Sequence, residues 1–204
     1  MQYRKLPRSF YLRSTLRVAR ELLGKYLVRQ NGNQRLVGRI VETEAYRGEK
    51  DPASHAYRGM TKRNEVMFLK GGHLYVYFTY GMHFCANVVT GRMGKGRAVL
   101  LRAIEPVAGI EVMRGRRTLS LAGRSDVNLT NGPAKLCEAL GIGRRQNGVD
   151  LLGPEIWIAE NKIGTRQIRR GVSSRIGVTE GRKYKWRFYV KGNPFVSRGK
   201  PVKI

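Results

Sequence analysis

The sequence predicts a mixed α+β fold: a single domain over residues 1–204, with a curved, mainly antiparallel β-sheet, a protruding β-hairpin and peripheral helices. Three observations carry this. Strand-like runs come mainly as hairpins joined by turn signals, whereas a parallel sheet would place a helix between successive strands. The helical signals are short segments with their own start and stop residues. No stretch is long enough to act as a linker, and 204 residues can bury one core without a disulfide or metal staple.

Taken in order, Ser14 can cap a helix running through Leu16, Val18, Ala19, Leu22 and Leu23, with Gly24 as its stop. Lys25–Arg29 and Leu36–Tyr46 read as strands joined around Asn31-Gly32, a hairpin signal. Leu74–Thr79 and Met82–Val89 are β-rich runs that meet at Tyr80-Gly81. Arg97–Ile104 is a further strand, with a helix opening near Pro106. Asn131-Gly132-Pro133, then Ala134–Leu140 and Gly141, give a helix start and stop in the expected order. Ile156–Ile158 and Arg187–Val190 read as late strands.

Forty Lys and Arg against 14 Asp and Glu leave a net charge of +26. With 41% hydrophobic residues, the chain is too apolar for a disordered polycation. A folded domain under such self-repulsion is suited to a polyanion, nucleic acid first and an anionic membrane surface second. No apolar run is long enough to span a bilayer, and Met1–Lys5 precedes no apolar segment of a secretory signal, so a cytoplasmic protein is expected. Cys85 and Cys137 lie in apolar surroundings with no Cys-x-x-Cys, which reads as buried free thiols in a reducing compartment. His55, His73 and His83 lack ligand spacing, so no metal is expected. The charge is uneven. Residues 1–39 carry ten basic residues and one acid, residues 40–112 ten and seven, and residues 113–204 twenty and six. The centre is thus the near-neutral part of a basic protein, either an active centre inside a basic collar or a core flanked by solvated loops.

Two segments carry chemistry. In Arg39–Tyr46, strand periodicity puts Ile40, Glu42, Glu44 and Tyr46 on one face and Val41, Thr43 and Ala45 on the other. The acids are either solvated and paired with arginines, or one of them is held in a pocket as a general base. In Leu74–Asn87, a two-residue turn at Tyr80-Gly81 would leave Tyr80 at a hairpin tip with Met82 beside it. Turn tips favour Asn, Asp or Gly, so a tyrosine there suits a wedge between base pairs; a turn placed elsewhere would put Tyr80 in the core.

These segments occur in one collinear series. Glu42-Thr43-Glu44-Ala45-Tyr46, Ser54-His55, Arg63-Asn64, Leu74–Tyr77, Tyr80-Gly81-Met82, Phe84-Cys85, Asn87 and Val99–Pro106 are followed by Asn131–Cys137 and Arg187–Val190. Together, from about Leu16 to Ser197, they resemble the alkyladenine (3-methyladenine) DNA glycosylase family. The resemblance implies a monofunctional, monomeric enzyme without a cofactor. It would flip alkylated or deaminated purines from double-stranded DNA and hydrolyse the N-glycosidic bond with water. Family positions carried over make Glu44 the general base and Arg102 a holder of the water. Tyr46, His55 and Tyr77 would sandwich the base, with Asn87 at its edge. Tyr80, with Met82, would fill the gap in the duplex, and Arg63, Arg117 and Lys135 would contact phosphates. The family's mammalian members carry a tyrosine at the position of His83. The loop Gly91–Gly96, two residues longer than theirs, and the lack of an extended N-terminal arm fit a compact bacterial-type member, expected at the nucleoid. A non-enzymatic nucleic-acid-binding protein explains the charge equally well but not the acid face beside Tyr46. A glycoside hydrolase using Glu42 and Glu44 as a pair has no use for forty basic residues.

Overall fold

In the computed structural model, residues 3–117, 125–161 and 168–199 are described, so both ends of the expected 1–204 domain lie outside them. Strands β1 (Tyr3–Lys5), β2 (Tyr26–Asn31), β3 (Gln34–Tyr46), β4 (Leu74–Thr79), β5 (His83–Val89), β6 (Ala98–Ala108), β7 (Ile156–Asn161), β8 (Arg170–Ser173) and β9 (Arg187–Val190) form one sheet. The helices are α1 (Arg8–Tyr11), α2 (Thr15–Leu22), α3 (Ile110–Arg116), α4 (Val127–Thr130) and α5 (Pro133–Leu140). The strand order is β1-β7-β2-β3-β6-β5-β4, with β9 added to β3 and β8 to β9. These pairings are antiparallel, as the succession of hairpins predicts.

Strand β3 organises the sheet. β6 runs along one edge from Val37 to Tyr46, while the other edge is shared, Gln34–Arg39 pairing with β2 and Glu42–Glu44 with β9. Register shifts between Ile40 and Thr43 mark the junction. They also correct the expected facing of this strand. Ile40 belongs to the main core together with Ala45, five positions on, and does not share the face of the acids. Only an extra residue in the ladder allows that odd spacing, because a bulge inverts the alternation beyond it. Glu42, Glu44 and Tyr46 keep a common phase after the bulge.

Helix α2 covers β3, where the Thr43 hydroxyl donates to the Ala19 carbonyl at 2.9 Å, and its Leu22 and Val18 enter the main core. Ser14 stands at its N-cap and Gly24, at φ +82°, follows its end. Helix α5 runs from Pro133 to a left-handed Gly141 and contributes Leu136, Cys137 and Leu140 to the same core. Cys85 and Cys137 are buried free thiols.

Two expectations shift. β6 continues through Pro106 to Ala108, and the next helix opens only at Ile110, behind Gly109. Pro106 sits opposite Gly38 at a register shift, where a strand tolerates a residue with no N–H. Gly109 has φ +74°, and a Cβ there would lie 2.4 Å from Leu36, so glycine fits this corner on two counts. Likewise β5 begins at His83, because Met82 belongs to the turn. The elements with no sequence signal, β1, α1, α4 and β8, are three or four residues long, too short to show a period. No helix among the described residues is long and apolar enough to cross a membrane.

Candidate active site

Both acids of β3 are fully buried, and they are held very differently. Glu42 accepts four hydrogen bonds. Arg102 Nε at 3.1 Å, Arg187 Nε at 2.6 Å and the Ser197 hydroxyl at 2.8 Å reach Oε1, and the Ser197 amide at 2.7 Å reaches Oε2. Three donors converge on Oε1 and one on Oε2, so both oxygens of Glu42 are tied to Arg102, Arg187 and the Ser197 segment. Glu44 accepts the Ile176 amide on Oε1 at 2.8 Å and the Tyr46 hydroxyl on Oε2 at 2.9 Å, with Arg102 Nη1 3.3 Å from Oε2. Arg102 therefore bridges the two acids. Burial alone would lower its pKa, but the charges of Glu44 and Glu42 outweigh this and hold the guanidinium above its ordinary value. Burial, followed by the charge of Glu44, pushes Tyr46 well up, so its hydroxyl stays protonated and remains a donor.

Beside Tyr46, whose hydroxyl meets Glu44, lies a cavity of about 390 Å³ lined by Tyr46, His55, Tyr75, Tyr77, Asn87, Tyr80 and the run Gly177–Thr179. His55 meets Tyr77 edge to face at 4.5 Å between centroids, and its Nδ1 shares a 3.0 Å hydrogen bond with the Tyr75 hydroxyl. His55 is exposed on one side, and partial desolvation, then the nearby Arg63 charge, lowers its pKa, which favours the neutral ring. Burial pushes the Tyr75 hydroxyl up to about 12, and burial with the Cys85 thiol raises Tyr77 further. The pocket walls are thus neutral, electron-rich rings. Asn87 is buried and donates Nδ2 to the Tyr75 carbonyl at 3.1 Å, which fixes its amide beside the cavity. Asn64 donates to the His55 and Gly59 carbonyls at 2.8 and 3.1 Å and so holds the loop that carries His55.

The β4–β5 hairpin ends beside the cavity. Thr79 pairs with His83, and the Met82 amide donates to the Thr79 carbonyl at 3.3 Å across Tyr80-Gly81. Both turn residues have positive φ, +51° for Tyr80 and +68° for Gly81. For a bulky tyrosine this conformation is uncommon. Tyr80 is 86% exposed and Met82 70% exposed, so the tip holds two large side chains with no core to enter.

A family model described as methylpurine-DNA glycosylase matches residues 9–194. The chain belongs to the methylpurine-DNA glycosylase family. Its relatives include a protein of Carboxydothermus hydrogenoformans, 50% identical over 193 residues that span 95% of this chain and 98% of the relative. One from Clostridium acetobutylicum is 48% identical over 201 residues, spanning 95% and 97%. Another, from Chlorobaculum tepidum, is 44% identical over 200 residues, spanning 97% and 93%. Each is provisionally named a 3-methyladenine DNA glycosylase.

In this member of the methylpurine-DNA glycosylase family, Tyr46, His55, Tyr77, Asn87 and Tyr80 line one cavity, and Glu44 and Arg102, which do not line it, connect to it through the Tyr46 hydroxyl bonded to Glu44. The phosphate candidates do not line it. Arg63 is exposed, with Nη2 3.4 Å from the Phe78 carbonyl near the tip of the hairpin. Arg117 is buried and ion-paired with Glu138, and Lys135 on α5 donates to Asn131 at 2.7 Å. Burial, then Arg117, lowers the Lys135 pKa. Sequence reasoning misses Ile176, Ser197, Arg187, Asp51 and Arg175, whose contacts join residues more than a hundred positions apart. The single signal they leave is the scarcity of acids, since each of 14 carboxylates has many arginines to choose among.

Proposed function

We propose that this chain is a base-excision-repair glycosylase acting as a monomer on double-stranded DNA. It extrudes an alkylated or deaminated purine into the aromatic cavity and hydrolyses its N-glycosidic bond. The observation that carries this reading is the contrast between the acids. Glu44 accepts the hydroxyl of cavity-lining Tyr46 and the amide of Ile176, next to cavity-lining Gly177, whereas Glu42 is tied to Arg102, Arg187 and Ser197, which do not line the cavity.

Extrusion costs a few kcal/mol, and stacking on aromatic rings returns about 1–3 kcal/mol per base. A cationic alkylpurine gains roughly 0.5–2 kcal/mol more against the tyrosines, whose hydroxyls remain protonated. Glu44, oriented by the Ile176 amide, accepts a proton from water as the water oxygen bonds to C1′. The C1′–N bond breaks and the purine leaves with its electron pair. Arg102 holds the water against Glu44 and offsets the carboxylate charge. Asn87 meets the edge of the base and disfavours the 2-amino group of guanine. Water, not a lysine, is the nucleophile, so the product is an abasic site and no strand cleavage follows. Tyr80 and Met82 fill the gap in the duplex. Arg63 and Lys135 meet phosphates, and Arg117, tied to Glu138, acts through Lys135.

The test is Glu44→Gln assayed on duplexes each carrying one lesion: 3-methyladenine, 7-methylguanine, hypoxanthine or ethenoadenine. Single-turnover base release should fall by roughly 10²–10⁴-fold, the usual contribution of a general base. Binding to the lesion duplex should persist. Release at the wild-type rate would remove Glu44 from the mechanism, and a wild-type chain that binds duplex without releasing any base would mark a non-enzymatic binder.

A further inference from the structure

Behind the cavity wall lies a buried ion pair that the mechanism leaves unused. Arg175 and Asp51 have no solvent-exposed side-chain surface. They meet in a two-pronged contact, Nη1 to Oδ2 at 2.6 Å and Nη2 to Oδ1 at 2.7 Å, and Nη1 also donates to the Ala45 carbonyl at 3.0 Å. The guanidinium lies 4.6 Å from the Tyr46 ring centroid and 5.2 Å from that of Trp186. Tyr46 lines the cavity and Arg175 does not, so the guanidinium backs the stacking ring from the protein side.

What each partner carries gives the pair its reach. Asp51 also accepts the Arg47 and Ala53 amides at 3.1 and 3.2 Å, and so fixes the turn leading to Pro52–His55, one wall of the cavity. Arg175 precedes Ile176, whose amide holds Glu44, and Gly177–Thr179, a second stretch of the cavity lining. Gly181 closes over the contact. It has φ +62°, and a Cβ there would lie 2.9 Å from Arg175 Nη2 and 3.5 Å from Asp51 Oδ1.

We propose that Arg175 and Asp51 are a positioning pair: a clasp that fixes the two stretches of cavity lining to one another and sets the orientation of Glu44 without touching the base. This rests on the glycosylase reading above. An isolated buried ion pair is weak evidence of stability, since an apolar replacement of similar volume is often neutral. Planar two-pronged recognition fixes geometry, which a lysine, a single mobile point charge, cannot reproduce.

The experiment compares the wild type with Arg175→Lys, Gly181→Ala and the double variant Arg175→Met/Asp51→Asn, which leaves no buried charge unpaired. Four readouts are taken: thermal melting, affinity for undamaged duplex, affinity for lesion duplex in a Glu44→Gln background, and single-turnover base release. In the double variant, release should drop by roughly 100-fold and lesion preference should fall toward one, a loss on the scale of removing one preorganised donor. Affinity for undamaged duplex should stay within about twofold, because phosphate contacts dominate it. Arg175→Lys should recover part of the rate. Gly181→Ala, which leaves both partners intact, should lower release with unchanged affinity for undamaged duplex. If the folded double variant and Gly181→Ala both release bases at wild-type rates with wild-type lesion preference, the clasp is overturned while the glycosylase reading stands. A wild-type chain that releases no damaged base overturns that reading, and the clasp with it.

Discussion

The carboxylates of Glu42 and Glu44 have no surface open to solvent, and hydrogen bonds from four separate chain segments fix them. At the hairpin tip, Tyr80 and Met82 stand in solvent on a turn held by one 3.3 Å backbone hydrogen bond. Hydrolysis needs a carboxylate already in place when the base arrives, since a preorganised group has no reorganisation cost during reaction. A wedge works in the opposite way. Its side chains gain contacts only inside a duplex, so in the free protein the tip needs a defined backbone and nothing more. In the proposed mechanism, order is concentrated where charge would develop, and exposed apolar surface is kept where the duplex would cover it.

The strongest way to break this contrast is Glu42→Gln. Glutamine keeps the shape but removes the charge facing Arg102 and Arg187, both buried. An uncompensated buried charge costs about 3–5 kcal/mol, so thermal or denaturant unfolding should show a large loss of stability. A variant that folds normally and loses only base release would show Glu42 acting in the chemistry instead of supporting it.

Tyr80→Ala probes the other region. It should leave stability near that of the wild type, since Tyr80 is 86% exposed. Discrimination between lesion and undamaged duplex should weaken by about 1–3 kcal/mol, the worth of one aromatic–base contact. The salt dependence of binding should change little; a steep change in slope would identify a phosphate site in place of a wedge.

The smallest effect concerns His55. Its folded pKa lies below the ordinary 6.5, so an unfolded chain takes up a proton at a pH where the folded one does not. Stability should therefore fall as pH drops below about 6.5, and the loss is complete below the folded value. Melting temperatures above pH 4.5, the ordinary glutamate value, separate this from carboxylate protonation. His55→Gln should flatten that slope. An unchanged slope would show that folding does not desolvate the His55 ring.

Much of this was legible along the chain. The β4–β5 hairpin with Tyr80 at its tip, α2 between Ser14 and Gly24, and α5 between Gly132 and Gly141 each follow from residues within a few positions of one another. The phase of β3 was not, because the bulge between Ile40 and Thr43 arises from matching β6 on one edge to two different partners on the other. Pro106 misled for a related reason: local preference marks a helix start, and a distant register shift accommodates it within a strand.

The sequence by itself determined that this basic chain has a near-neutral centre, two acids at alternate positions beside a tyrosine, and a family's residues in collinear order. Local surroundings do not separate the acids, and only the family resemblance points to Glu44. Tertiary structure shows how differently they are held. Ser197, Arg187 and Arg102 tie one carboxylate, and Ile176 and Tyr46 tie the other to residues at the cavity. The physical reason is that a carboxylate's reactivity depends on how its lone pairs are occupied, and the donors that occupy these come from chain segments that only folding brings together.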